Sequence, residues 1–443
     1  MHVAQQALVT PHEHRQLALG LAPRDPGFGD KRIPPPIGDH GLSVDNFTGQ
    51  FTDNEWYYVS RQTSTFAFRA PKTEKGKPFS PFSRETLLLA NNLLLAAAAG
   101  GFTTVVCMPN TSPPADNAGT VELINNAAKS AIVRVYPTGC ITVGQNGEQL
   151  TEFGELIHAG AVAVTDDGRP VNSAGMMRMA LEYALAFDLP VAVHEEELTL
   201  SRGGSMNEGI IATRLGLTGI PNEAEDVMIA RDLMLAELTG GRLHVQHVST
   251  RRGVELIRAA KAAGIRVTAE ATPHHFTLTD AAVAAYRTDA KMNPPLRSEA
   301  DRQAVREGVR DGTLDVIATD HAPHHYDEKE QAFEDAPNGI VGLETSLGLG
   351  YTELVAPGIL DLSDLIDRMS CAPARAMSLD TRARLGSLAE GYQGDVTLID
   401  TRIEWTVDRA AFLSMSRNTP FHGRELRCRA VRTIVGGRTV WQG

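Results

Sequence analysis

Two histidines and two aspartates stand where apolar, β-branched runs break off, and these residue types could do chemistry together. They are Asp167 in "AVAVTDDG", His194 in "PVAVHEEE", His247 in "RLHVQHVS" and Asp320 in "DVIATDHAPHH"; Asn110 closes "FTTVVCMPN" in the same way. Neutral imidazole and carboxylate oxygen are both good ligands for a borderline divalent cation, zinc first. A metal at their common mouth would lower the pKa of bound water to about 7 and supply a nucleophile without a strong base. A single histidine is more often a hydrogen-bonded core or loop residue, but five strand ends together favour the site. The neighbouring charge run Glu195, Glu196 and Glu197 reads as solvated or helix N-terminal carboxylates. His244 is at odd phase to His247 and is expected to face a helix layer, while His274, His275 and His325 read as supporting or structural.

These positions require a scaffold that brings strand ends together. From about residue 85 short β-branched runs alternate with longer helical stretches, the signature of βα units around a parallel sheet. The strands in order are "FTTVVCMPN", "VRVYPTGC", "AVAVTDDG", "PVAVHEEE", "RLHVQHVS", "IRVTAEATPHH" and "DVIATDHAPHH". Amphipathic helices are expected between them over 173–187, 223–238 and 252–263. A closed (β/α)8 barrel needs eight strands and keeps its chemistry at their carboxyl ends. The eighth must come earlier, and "EWYYVSRQTSTFAFRAP", with period-two alternation around Ser64, Phe66 and Phe68, is the candidate first strand. Past residue 385 short strands joined by glycine turns suggest a small β-sandwich module. The expected organisation is an unassigned region over 1–55, a barrel over 56–384 with its first strand in 56–84, and a β-module over 385–443.

Composition narrows the partners. The chain has 443 residues, 42 basic against 54 acidic side chains and a formal charge of −12, so no basic field is available to hold nucleic acid or an anionic membrane. A small-molecule substrate is the expectation. Cys107, Cys140, Cys371 and Cys428 are scattered without paired spacing, which argues for reduced thiols in the cytoplasm. No targeting segment is visible, and the most apolar stretch, 87–99, is too short to span a bilayer.

The strings "GGFTTVVCMPNTSPPADN", "TDDGRPV", "VHEEE", "QHVST", "TPHH", "MNPPLRS", "IATDHAPH" and "GIVGLET", in this order, resemble the class I dihydroorotases of the amidohydrolase superfamily. So do "GYQGDVTLID" and "SRNTPFHG" in the tail. The resemblance implies a metal-dependent hydrolase barrel that reversibly hydrolyses the dihydroorotate ring amide to N-carbamoyl-L-aspartate in pyrimidine synthesis. It implies two zinc ions, with Asp167 bridging them, His194 and His247 on the second, and Asp320 serving both as ligand of the first and as general acid/base. Asn110, Asn293 and His324 match substrate contacts, and Asn338 with Gly339 matches the loop over the ring, although Asn338 replaces an expected phenylalanine. An aspartate at 167, rather than a lysine, argues against a hydantoinase. A homo-oligomer is expected. Some family members are non-catalytic partners of aspartate carbamoyltransferase, which is the alternative function.

One family motif is out of place. The first strand should end in His-x-His-x-Arg, but "TFAFRAP" puts Thr65 and Ala67 where the histidines belong and keeps only Arg69 and Pro71. Neither Thr nor Ala replaces imidazole on zinc, so one ion rather than two is a second expectation. Arg69 could still hold a substrate carboxylate. Two other accounts stay open: "HEHR" at His12 to Arg15 supplies the motif across a long insertion, or residues before about 85 follow a shifted reading frame.

Overall fold

The structure, a computed structural model, describes residues 58–60, 67–69 and 84–443. "HEHR", Thr65 and the 1–55 region lie outside the described residues.

Parallel pairing runs through all seven runs expected from the pattern. Thr104–Cys107 pairs with Arg134–Pro137, and single bridges link Gly139 to Val164 and Val164 to Val191. Pro190–Val193 then pairs with Arg242–Val245, that strand with Val267–Ala271, and that one with Val316–Ile317. The "AVAVTDDG" run contributes only a bridge. Its Asp166 carboxylate accepts the Ile141 and Thr142 backbone N–H groups at 2.8 and 3.1 Å, so a side chain takes donors that a longer ladder would use.

The expected first strand differs. Tyr58–Ser60 and Ala67–Arg69 pair antiparallel with each other, Val59 opposite Phe68, and among the described residues with no barrel strand. Period-two alternation is common to ribbons and barrel strands, so it cannot say which partner a strand takes.

Helices cover the outside of the ladder where their caps predict. Ala174–Leu185 starts at Ser173, whose hydroxyl accepts from Met176 N–H. Glu223–Thr239 has Glu223, Glu225 and Asp226 in its first turn and ends at Gly240, φ 73°. Arg251–Ala262 is capped by Thr250, and Glu299–Asp311 opens with a Ser298/Asp301 capping box. Their apolar faces bury Leu181, Ile229, Leu233, Ile257 and Val305 against Val191, Leu243, Val245, Ala269 and Ile317 in one core. Each fully buried aliphatic side chain stabilises the fold by roughly 1.5–3 kcal/mol. The ladder is thereby held from outside, and its strand ends are left to carry polar groups.

The C-terminal module is a three-stranded antiparallel sheet of Val396–Thr406, Glu425–Val435 and Arg438–Gln442. Gly436 and Gly437, both at positive φ (56° and 78°), form the two-residue turn of its last hairpin. It is seated on the barrel by Thr433 Oγ1 to Ala98 O and Thr397 Oγ1 to Gly101 O, each 2.6 Å, and by the Arg134–Asp395 ion pair. Cys107, Cys140, Cys371 and Cys428 are all free thiols. Among the described residues no helix is long and apolar enough to cross a membrane.

Candidate functional site

Asp167, His194 and His247 converge. Each offers a ligand atom within 4.8 Å of the other two, and all three are buried. His194 Nδ1 lies 2.9 Å from His247 Nε2, and the rings meet edge to face. They converge because each ends a different member of one parallel ladder, so the chain turns inward at the same height. His247 and Asp320 make that turn at φ 37° and 42°, in the left-handed region that non-glycine residues seldom adopt and that collects at functional sites.

Side chains around the three hold them in place. Asn110 Nδ2 donates to Asp167 Oδ2 at 3.1 Å. His194 Nε2 lies 3.1 Å from Glu196 Oε2, which also accepts from Asn293 Nδ2 at 3.1 Å. Glu270 accepts the His247 backbone N–H at 3.3 Å and lies 3.0 Å from His244 Nε2.

These contacts set the charge states. Burial, reinforced by the neighbouring His194, keeps His247 well below the ordinary histidine range, so it is a neutral imidazole, the form that binds metals. For His194 burial acts in the same sense, but the Glu196 carboxylate outweighs it and raises the pKa. Burial opposes ionisation of Glu196 too, yet its hydrogen bond from His194 brings it down to about 2.

The set fits a divalent cation. One carboxylate oxygen and two imidazole nitrogens are ligands that zinc accepts, and the buried Nδ1 of His247 has no hydrogen-bond partner among the described residues. Asp320 is buried but lies outside this group of three; its Oδ2 is 3.7 Å from His274 Nε2.

Of the residues expected to face substrate, His324 and Gly339 form a second cluster. His324 is buried, with Nε2 2.7 Å from the Asn338 carbonyl oxygen. Gly339, φ 147°, packs so closely that a Cβ there would lie 2.8 Å from His324 Nε2 and 2.7 Å from Ala322 Cβ. Asn110 and Asn293 stand beside the Asp167, His194 and His247 group, as above. Arg69 belongs to the ribbon strand, and its side chain is outside what is described.

Two expectations differ from the structure, those for the Glu195–Glu197 run and for His244. Glu195 is buried beside Asp232 and Arg231, with burial pushing its carboxyl well above the usual range, and Glu196 touches His194; only Glu197 caps a helix. His244 faces away from the helix layer: Leu243 and Val245 join the helix-side core, so the residue between them points into the barrel, where it meets Thr268 and Glu270. The three remaining histidines are supporting or structural as expected: His274 reaches Asp320, His275 meets Thr272 and Pro294, and His325 is an N-cap. Glu270 was also missed; a lone carboxylate inside the apolar run "VTAEA" was its signal.

Residues 83–253 match the family model described as dihydro-orotase-like. The chain is 56% identical over 339 residues to "Dihydroorotase" of Syntrophotalea carbinolica, covering 76% of this chain and 79% of that protein. The chain belongs to the dihydroorotase family. A second relative, from Pelotomaculum thermopropionicum and also named dihydroorotase, is 53% identical over 338 residues, 76% of this chain and 78% of its own. Among solved structures, the L-hydantoinase (dihydropyrimidinase) of Arthrobacter aurescens superimposes with a TM-score of 0.70 at 28% identity over 80% of each chain. A D-hydantoinase structure superimposes at 0.69 with 20% identity, covering 87% of this chain and 85% of its own, and shares the fold. The architecture is therefore the amidohydrolase TIM-like barrel with a β-sandwich module, here in a dihydroorotase-family chain.

Proposed function

We propose that this chain reversibly hydrolyses the ring amide of L-dihydroorotate to N-carbamoyl-L-aspartate, using zinc held by Asp167, His194 and His247. The observation that carries the reading is the buried convergence of those three side chains, in a chain 56% identical to a dihydroorotase. When bound, the cation supplies Lewis acidity and lowers the pKa of water into the neutral range. Asn110 aims the Asp167 carboxylate, and Glu196 with Asn293 fixes the His194 ring. Asp320, buried beside His274, takes a proton from the attacking water and returns it to the ring nitrogen as the C–N bond breaks. Asn110, Asn293, His324 and Gly339 hold the ring, and Arg69 its carboxylate. The ligand set supports one ion per chain; Ala67, at a position where the family resemblance places histidine, has no ligand atom.

Turnover of dihydroorotate by the zinc-loaded chain tests this, with loss of ring absorbance as the measurement. Chelation is expected to lower the rate by at least about 100-fold and added zinc to restore it. Ala67 also favours a second reading, a non-catalytic homologue that pairs with aspartate carbamoyltransferase. Zinc bound without turnover is the result that would select it.

The Gly339 contact gives a sharper check on the substrate side. Gly339→Ala would press a methyl group onto His324 and Ala322. KM for dihydroorotate is expected to rise at least about tenfold, with bound zinc unchanged. An unaltered KM would show that this loop does not meet the ring.

A further inference from the structure

We propose that Asn418, supplied by the segment leading into the second module strand, is a positioning residue that sets the spacing between His324 and Gly339. This rests on the dihydroorotase reading for its kinetic consequences, though not for its structural ones. Asn418 is 3% exposed, and its amide reaches into the barrel with both ends engaged. Its Nδ2 donates to Ala322 O at 2.8 Å and to Gly339 O at 3.0 Å, while its Oδ1 accepts the His324 backbone N–H at 3.2 Å. Its own carbonyl accepts the Val341 N–H at 3.0 Å.

One side chain thus clips two barrel segments that also pair directly, through the Ala322 N–H to Ile340 O bond and the His321–Ile340 bridge. The first segment continues Asp320 by two residues; the second carries the Asn338 carbonyl that meets His324 Nε2. The segment that presents Asn418 is itself pinned. Glu344 accepts the Leu413 and Ser414 N–H groups at 2.9 and 3.0 Å, and Phe412 and Phe421 share a buried cluster with Ile340 and Val341.

Only a primary amide serves all three contacts, because they need a donor group and an acceptor on one short side chain. Asp keeps the acceptor for His324 but loses the donor to both carbonyls; Ala loses everything and leaves buried backbone groups unmatched. None of the three hydrogen bonds of the Asn418 side chain goes to Asp167, His194 or His247, so its effect should fall on how substrate is held rather than on the ion.

The experiment compares wild type, Asn418→Ala and Asn418→Asp as full-length zinc-loaded chains, measuring KM and kcat, bound zinc, and amide hydrogen exchange across 321–341. Asn418→Ala is expected to raise KM for dihydroorotate about tenfold or more with a smaller change in kcat, leave zinc content unchanged, and speed exchange at His324 about tenfold. Asn418→Asp is expected to keep His324 protected, while exchange across 339–341 speeds up and KM rises. If Asn418→Ala does not fold, this second variant carries the test. A KM within twofold of wild type, or a fall in kcat and zinc together at constant KM, overturns the proposal. Should wild type not turn over dihydroorotate, the functional reading fails alone, and unchanged exchange across 321–341 in the folded variants is then what overturns this one.

Discussion

Asp320→Asn is expected to lower kcat by about 100- to 10,000-fold, the range that a positioned general acid/base contributes. Asparagine is the informative replacement because Asp320 sits at φ 42°, and Asn tolerates the left-handed region as Asp does. The backbone turn survives and the size is kept, while the carboxylate's charge and its capacity to carry a proton are lost. Asp320 lies outside the Asp167, His194 and His247 group, so zinc bound by those three should remain and elemental analysis should still find it. A kcat within twofold of wild type would remove Asp320 as the proton carrier. Loss of the metal along with the rate would show instead that its main duty is to ligate.

His247→Ala is the second large effect, and it acts one step earlier. The residue offers one of the three ligand atoms of the proposed centre and is held neutral by burial, ready to donate without first losing a proton. Even groups that merely orient a ligand change metal affinity by about 10- to 100-fold, so losing the ligand should cost more than about 100-fold. Isothermal titration with zinc, or competition against a chromophoric chelator, measures this directly. Asn110→Ala, which frees the Asp167 carboxylate to rotate but removes none of the three candidate zinc ligands, should fall inside the smaller range of affinity loss. Equal zinc affinity in wild type and His247→Ala would place the ion elsewhere and take the proposed centre with it.

Much of this site was legible in the chain because strand ends are marked locally. A β-branched run that breaks into Asp, His or Asn announces both a strand and what lies at its mouth, and Asp167, His194 and His247, which converge in the fold, were singled out that way. The same reasoning erred where direction or burial mattered. The Glu195–Glu197 run looks like a solvated face in sequence, yet Glu195 is enclosed by Asp232 and Arg231 from a helix some forty positions on, and Glu196 turns to His194. His244 was assigned to the wrong face because its phase relative to His247 does not survive the irregular backbone at φ 37°. The ribbon at 58–60 and 67–69 carried the right alternation with a different partner.

By itself the sequence determined the alternation of strands and helices, the caps that bound them, and the polar residues that close each apolar run. These follow from neighbours within a few positions, where backbone geometry and side-chain period act directly. Only the tertiary structure decided which side chains meet: that Asp167 joins two histidines while Asp320 turns to His274, and that Asn418 clasps two segments 96 and 79 residues before it. Such contacts arise from the closing of the ladder and the seating of the C-terminal module. Their partners are set by packing between distant segments, and no local pattern records them.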